Sequence, residues 1–235
     1  MAKRTERGKA RDVSQEMSAG VRAMRDDREG RLDLRRQWVE PAKVYQLKVT
    51  LLETAPPIWR RLRVPGPTSL ARLDRIIQIA MGWTNSHLHT FTAGGVMYAD
   101  PSPEWEIRVR NERRTRLEGI AKEEGEAFIY EYDLGDSWRH QVLVEEVRVG
   151  SEATLDAVCL GGERACPPED SGGVQGFYEK LECLNDPGHE EYEATKIWIE
   201  SMTGGPFDPD AFDLDAVNRA LRAIRRRPGS FPPAS

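Results

Sequence analysis

The chain holds four histidines, and two of them, His87 and His89, lie two positions apart in GWTNSHLHTF. On an extended strand, side chains at i and i+2 share a face. Two imidazoles so placed could chelate one metal ion or work as acid and base. A third histidine, His140, follows the turn of YEYDLGDSWRHQVLVE on a separate predicted strand. Carboxylates that could complete a site come from that turn, Asp133 and Asp136, and from Glu169 and Asp170 in ACPPEDSGG. The expected metal set is His87, His89 and His140, and the catalytic candidates are those three with Asp136, Glu169 and Asp170. A divalent metal held there would lower the pKa of a bound water and support hydrolysis.

The same residues have simpler roles. An HxH pair is far less specific than HExxH, and imidazoles on a sheet can hydrogen-bond to backbone or carboxylates. In DLGDSW, aspartates bond their own backbone and Gly135 supplies a positive φ, which makes a turn without any metal. In PPEDSGG, Asp170 or Ser171 is placed to cap a helix that starts near Val174.

A second constellation is IWRRLR. Alternation sets Ile58, Arg60, Leu62 and Val64 on one face, and Trp59, Arg61 and Arg63 on the other. Trp59, Arg60, Arg61 and Arg63 form a candidate surface for a nucleic-acid or protein partner, because arginines hold phosphates and Trp stacks on bases. The alternative is a solvated strand face with a packed Trp59. RAIRRR near the C-terminus reads as a helix end that complements the helix dipole.

These residues must be carried by strands and helices. VYQLKVTLLE alternates as a strand, TAPP is a turn, and IWRRLRVP alternates again, so the two form a hairpin. PTSLARLDRIIQIAMGW reads as a helix, with Thr68 or Ser69 as cap, Leu70, Leu73, Ile76, Ile77, Ala80 and Met81 on one face, and Gly82 as the stop. A short hairpin turns at Gly94-Gly95, and residues 104–125 show no clear period. AFIYEYDLGDSWRHQVLVEEV is a second long hairpin. Three helices follow. Val174, Phe177, Leu181 and Leu184 mark one, Ile197, Trp198 and Met202 the next, and Phe212, Leu214, Val217 and Leu221 the last. Strands before helices predict an α+β fold, with a mixed or antiparallel sheet covered by C-terminal helices. The hairpin–helix–hairpin order over 44–99 is β-grasp-like.

Residues 1–40 carry eleven Lys/Arg against eight Asp/Glu, a net of +3, which leaves −8 for residues 41–235. Their sparse apolar residues predict a disordered charged arm. Residues 41–225 are expected to form a single α+β domain and 226–235 a tail. An acidic folded part disfavours a wide nucleic-acid groove. No run of 18 apolar residues occurs, so no membrane span is expected. Three cysteines in no CxxC spacing fit reduced thiols in a cytoplasmic protein.

PPIWRRLRVP, IQIAMGWTNSHLHTF, YEYDLGDSWRHQVLVE, ACPPEDSGGVQGF and GPFDPDAFDLDAVN occur in one order. In these segments the chain resembles the plasmid pRiA4b ORF-three-like family, whose members are also labelled TnpR-type passenger proteins of insertion elements. The resemblance spans roughly residues 43–222. It implies an α+β fold and an association with plasmids and transposable elements, and it implies no mechanism. Ser171 departs from the PPEDCGG form of the motif, which removes a thiolate from that loop. No GxSxG, Walker loop or GxGxxG is present. The leading expectation is a non-enzymatic binding module for a protein or nucleic-acid partner. The alternatives are a metal-dependent hydrolase built on His87, His89 and His140, and a DNA-binding protein acting in recombination.

Overall fold

The structure, a computed structural model, describes residues 43–102, 105, 108–149 and 156–226. The expected arm at 1–40 and most of the expected tail lie outside the described residues.

Strand β1 (Lys43–Leu51) pairs antiparallel with β2 (Trp59–Pro65) through the TAPP turn. Helix α1 (Leu70–Met81) follows. Ser69 caps it, accepting from the Arg72 N–H at 3.3 Å. Gly82 ends it at φ 109°, a left-handed conformation that a side chain would strain. The expected apolar face is buried: Leu70, Leu73, Ile76, Ile77, Ala80 and Met81.

Next come β3 (His89–Ala93), β4 (Val96–Ala99), β5 (Arg110–Asn111) and a short helix, α2 (Leu117–Ile120). Strands β6 (Ala127–Tyr132) and β7 (Trp138–Val149) form the long hairpin, and β8 (Val158–Glu163) lies on the edge beside β2. The sheet order is β5-β4-β3-β6-β7-β1-β2-β8. Every neighbouring pair is antiparallel except β4 with β5. The fold is therefore α+β with a mixed sheet. Hairpin, helix and hairpin do follow one another over 43–99, but β6 and β7 stand between the two hairpins in the sheet.

Three C-terminal helices follow among the described residues: α3 (Gly173–Asn185), α4 (Tyr192–Thr203) and α5 (Leu214–Arg226). In α4 the buried residue is Ile199, whereas Ile197 and Met202 are exposed. Three apolar positions gave too short a pattern to fix which way that helix turns.

Register decides what the sheet presents. Opposed residues share a face, so His89, Tyr132 and Trp138 lie in one row and Phe91, Tyr130, His140 and Leu51 in the next. This face is buried, and its aromatic rings form one side of the core.

Candidate functional site

His89 opens β3 beneath α1. Its Nδ1 lies 3.2 Å from Asp74 Oδ1 on the helix, and its Nε2 lies 2.7 Å from Glu112 Oε2 just past β5. Asp74 also accepts from Gln78 Nε2 at 2.8 Å and from the Tyr130 hydroxyl at 2.7 Å. Burial pushes the Asp74 carboxyl up, and His89, Gln78 and Tyr130 only partly offset that. Burial would lower the His89 imidazole, but the Glu112 hydrogen bond and the Asp74 charge raise it on balance. Two buried carboxylates share one imidazole, so the cluster holds its protons tightly. Both ring nitrogens of His89 are thereby taken by protein carboxylates.

His140 is fully buried on β7. Its Nδ1 lies 3.3 Å from the Tyr130 carbonyl, and its ring packs edge-on to Trp83 at 5.2 Å. Burial lowers its pKa to about 4, so it is neutral at ordinary pH. It belongs to the aromatic core.

His87 precedes β3 rather than lying in it. Its ring faces loops: Nε2 is 3.6 Å from Asp133 Oδ2 and 3.1 Å from Asp170 Oδ1. The expected His87–His89–His140 set is therefore not assembled. The shared-face argument needed an extended strand through residue 87, and the strand begins at His89. The carboxylates that meet His87 are Asp133 and Asp170, with donor atoms all within 4.8 Å of one another.

Glu169 and Asp136 have other work. Glu169 accepts from Thr84 N at 3.1 Å, from Thr84 Oγ1 at 2.5 Å and from the Tyr132 hydroxyl. Burial would raise this carboxyl, but those hydrogen bonds hold it below its ordinary value. The Tyr132 hydroxyl in turn accepts from Ser86 N at 2.9 Å and His87 N at 3.3 Å. Asp136 Oδ2 accepts from Gly172 N at 2.9 Å. Gly173 follows at φ +70°, where an added Cβ would lie 2.7 Å from the Asp136 carbonyl, so the turn rests directly on the start of α3. Trp83 Nε1 donates to the Pro167 carbonyl at 3.0 Å and its ring stacks on Tyr132 at 4.8 Å. Three sequence motifs, at 82–91, 130–138 and 166–173, thus close into one junction. The expected helix cap is not used: Gly172 is the N-cap of α3, and Ser171 Oγ donates to the Pro168 carbonyl at 2.6 Å.

The arginine surface is dismantled. Arg60 is buried and donates to the carbonyls of Ala80 at 2.7 Å, Trp59 at 2.8 Å and Glu163 at 2.9 Å, with its guanidinium 4.3 Å over the Phe212 ring. The alternation already set it beside Ile58, Leu62 and Val64, which face the core. Arg61 is held by both oxygens of Glu145, at 2.6 and 2.8 Å, and lies over Trp59 at 5.0 Å. Trp59 Nε1 donates to Glu163 at 3.0 Å. Arg63 is exposed.

Asp74 and Glu112 are the site residues that the sequence reading missed. Asp74 and Gln78 sit one turn apart on the apolar face of α1, and polar residues at such positions are a readable signal of a buried network. Glu112 lies in the aperiodic stretch and left no such signal.

Comparison with known proteins fits this architecture. The Plasmid pRiA4b ORF-3-like protein family matches residues 43–216. The uncharacterized protein y4hQ of Sinorhizobium fredii is 38% identical over 183 residues, covering 77% of this chain and 91% of its own. The crystal structure of a protein of unknown function, MM3350 from Methanosarcina mazei Go1, superposes with a TM-score of 0.65 at 35% identity, covering 74% of this chain and 97% of its own. The chain is an α+β protein with a mixed sheet. It belongs to the Plasmid pRiA4b ORF-3-like family.

Proposed function

We propose that this chain is a non-enzymatic binding module of plasmids and mobile elements, acting in the cytoplasm, and that the three-motif junction is its binding surface. In this reading residues 41–225 form the module, 1–40 a charged arm and 226–235 a tail. The observation that carries it is how the junction's carboxylates are used. Glu169, Asp136 and one oxygen of Asp133 each accept hydrogen bonds from protein groups, so they hold three loops in place. Fixed loops make a preorganised surface, and preorganisation lowers the cost of binding.

The partner is a protein. Leu88 and Leu134 flank His87 and Asp133 and are 62% and 42% exposed, and the Asp133 N–H donates to the Leu88 carbonyl at 2.9 Å. Two exposed leucines beside acidic groups suit a partner that presents apolar and basic side chains. A phosphate backbone has no such complement there. A nucleic-acid partner would draw on the 1–40 arm and on Arg60, Arg61 and Arg63, and of these arginines Arg60 is buried and Arg61 is paired to Glu145.

The test is a photo-crosslinker at Leu134 in the host cell, against one at exposed Ile197. A discrete protein adduct at Leu134, lost on Leu88→Asp, is the expected result. Turnover of an ester, phosphodiester or peptide substrate that disappears in His87→Ala would overturn the reading.

A further inference from the structure

We infer that His87, Asp133 and Asp170 bind a divalent transition-metal ion of the zinc type that ties the three loops of the junction together. The inference goes beyond the partner reading and stands without it.

The ligand atoms come from three separate chain segments, and the fold fixes each. The backbone N–H of His87 donates to the Tyr132 hydroxyl at 3.3 Å, and its ring packs edge-on to Tyr132 at 5.9 Å. Asp133 uses Oδ1 to accept from Gly135 N at 2.9 Å and Asp136 N at 3.3 Å. That leaves Oδ2 turned toward His87 Nε2, on a side chain only 10% exposed. Asp170 is placed by its neighbour Glu169, which is anchored to Thr84 and Tyr132. Hydrogen bonds to ligand residues that fix their orientation are the usual support of a metal site.

Two of the three donor spacings are close to those around one ion, and the third is within 4.8 Å. Metal–ligand bonds of about 2.0–2.2 Å put neighbouring donor atoms roughly 3.0–3.5 Å apart. His87 Nε2 lies 3.1 Å from Asp170 Oδ1 and 3.6 Å from Asp133 Oδ2. Among the described residues, His87 Nε2 is a buried nitrogen with no hydrogen-bond partner, although two carboxylate oxygens lie close by. A buried polar atom left in that state calls for a partner, and a cation between the three groups satisfies all of them. One imidazole and two carboxylates suit Zn²⁺ and its first-row neighbours, whereas Ca²⁺ requires six to eight oxygens. The Asp170 side chain is 61% exposed, so the site opens to solvent on that side and leaves a coordination position free.

His89, two residues on, offers the internal control, since both its nitrogens are already engaged by Asp74 and Glu112. The test is equilibrium dialysis of Zn²⁺ against the tag-free full chain near neutral pH, with Co²⁺ absorption as a spectroscopic readout. Wild type should bind one equivalent more than His87→Ala, which also corrects for zinc taken up by cysteines. Asp133→Asn and Asp170→Asn should weaken that equivalent by at least roughly 10–100-fold, the loss that removing only an outer-shell partner of a ligand causes. Both aspartates have positive φ, which Asn tolerates, so these variants keep the loops intact. His89→Gln should retain the ion. Equal zinc in wild type and His87→Ala, or a Co²⁺ spectrum unchanged by Asp133→Asn, would overturn the inference. Repeating the Leu134 crosslink with and without chelator keeps the two readings apart, because either can fail alone.

Discussion

His87 and His89 are separated by one residue and sit in opposite environments. His89 is enclosed by the protein, with a carboxylate on each nitrogen and α1 above it. His87 lies outside the strand, among loops, with a buried Nε2 that no hydrogen bond satisfies among the described residues. Leu88, exposed between the two histidines, marks the place where the chain leaves the loop and enters the sheet. The difference teaches that a short motif can hold two unrelated tasks. One histidine completes the fold, and the other is left for a group that the fold does not supply.

The sharpest way to break this contrast is to remove each imidazole. His89→Ala leaves Asp74 and Glu112 buried without their cation, which should cost about 3–5 kcal/mol. His87→Ala removes a part-exposed imidazole whose Nε2 makes no hydrogen bond among the described residues, and should cost less than about 1 kcal/mol. Denaturant unfolding of both variants checks it, and equal losses would erase the distinction.

The pH dependence extends the comparison to His140. Its pKa falls to about 4 in the fold, below the unfolded value near 6.5. A depressed histidine destabilises as it charges, so stability should fall by up to about 3 kcal/mol between pH ~6.5 and ~4. His89 has the opposite sign. Its raised pKa gives stability that is full below about pH 6.5 and is lost as pH rises through the folded value. Unfolding of wild type against His140→Leu should show the acid slope shrink in the variant. Wild type against His89→Gln should show a gap that narrows as pH rises.

Smaller effects test the junction itself. Tyr132→Phe removes one donor to Glu169 and the acceptor of two backbone N–H groups. It should cost about 1–3 kcal/mol, and amide exchange at Ser86 and His87 should speed up locally. Leu88→Asp should leave stability within about 0.5 kcal/mol, as for most exposed sites, while abolishing the Leu134 crosslink.

Much of the fold was legible because its signals are local. Alternation placed β1, β2, β6 and β7, and Ser69 and Gly82 bounded α1 within one residue. The same alternation set Arg60 on the core face, and only its charge suggested a surface role. The site was less legible. HxH carries no information about where a strand starts, and β3 begins two residues past His87, which takes His87 off the face of His89. The pairing of Asp133 and Asp170 depends on a 37-residue separation closed by the Asp136–Gly172 and Tyr132–Glu169 contacts, which no periodicity encodes. Glu112 reaches His89 from a segment without a pattern.

The contrast between the two histidines is tested most directly by unfolding free energy with and without Zn²⁺. A ligand at about 100 times its Kd adds about 2.7 kcal/mol to the state that binds it. Zinc should stabilise wild type and His89→Gln by that order and leave His87→Ala unmoved. No zinc effect on wild type, or the same effect on His87→Ala, would contradict the division of labour between the two residues.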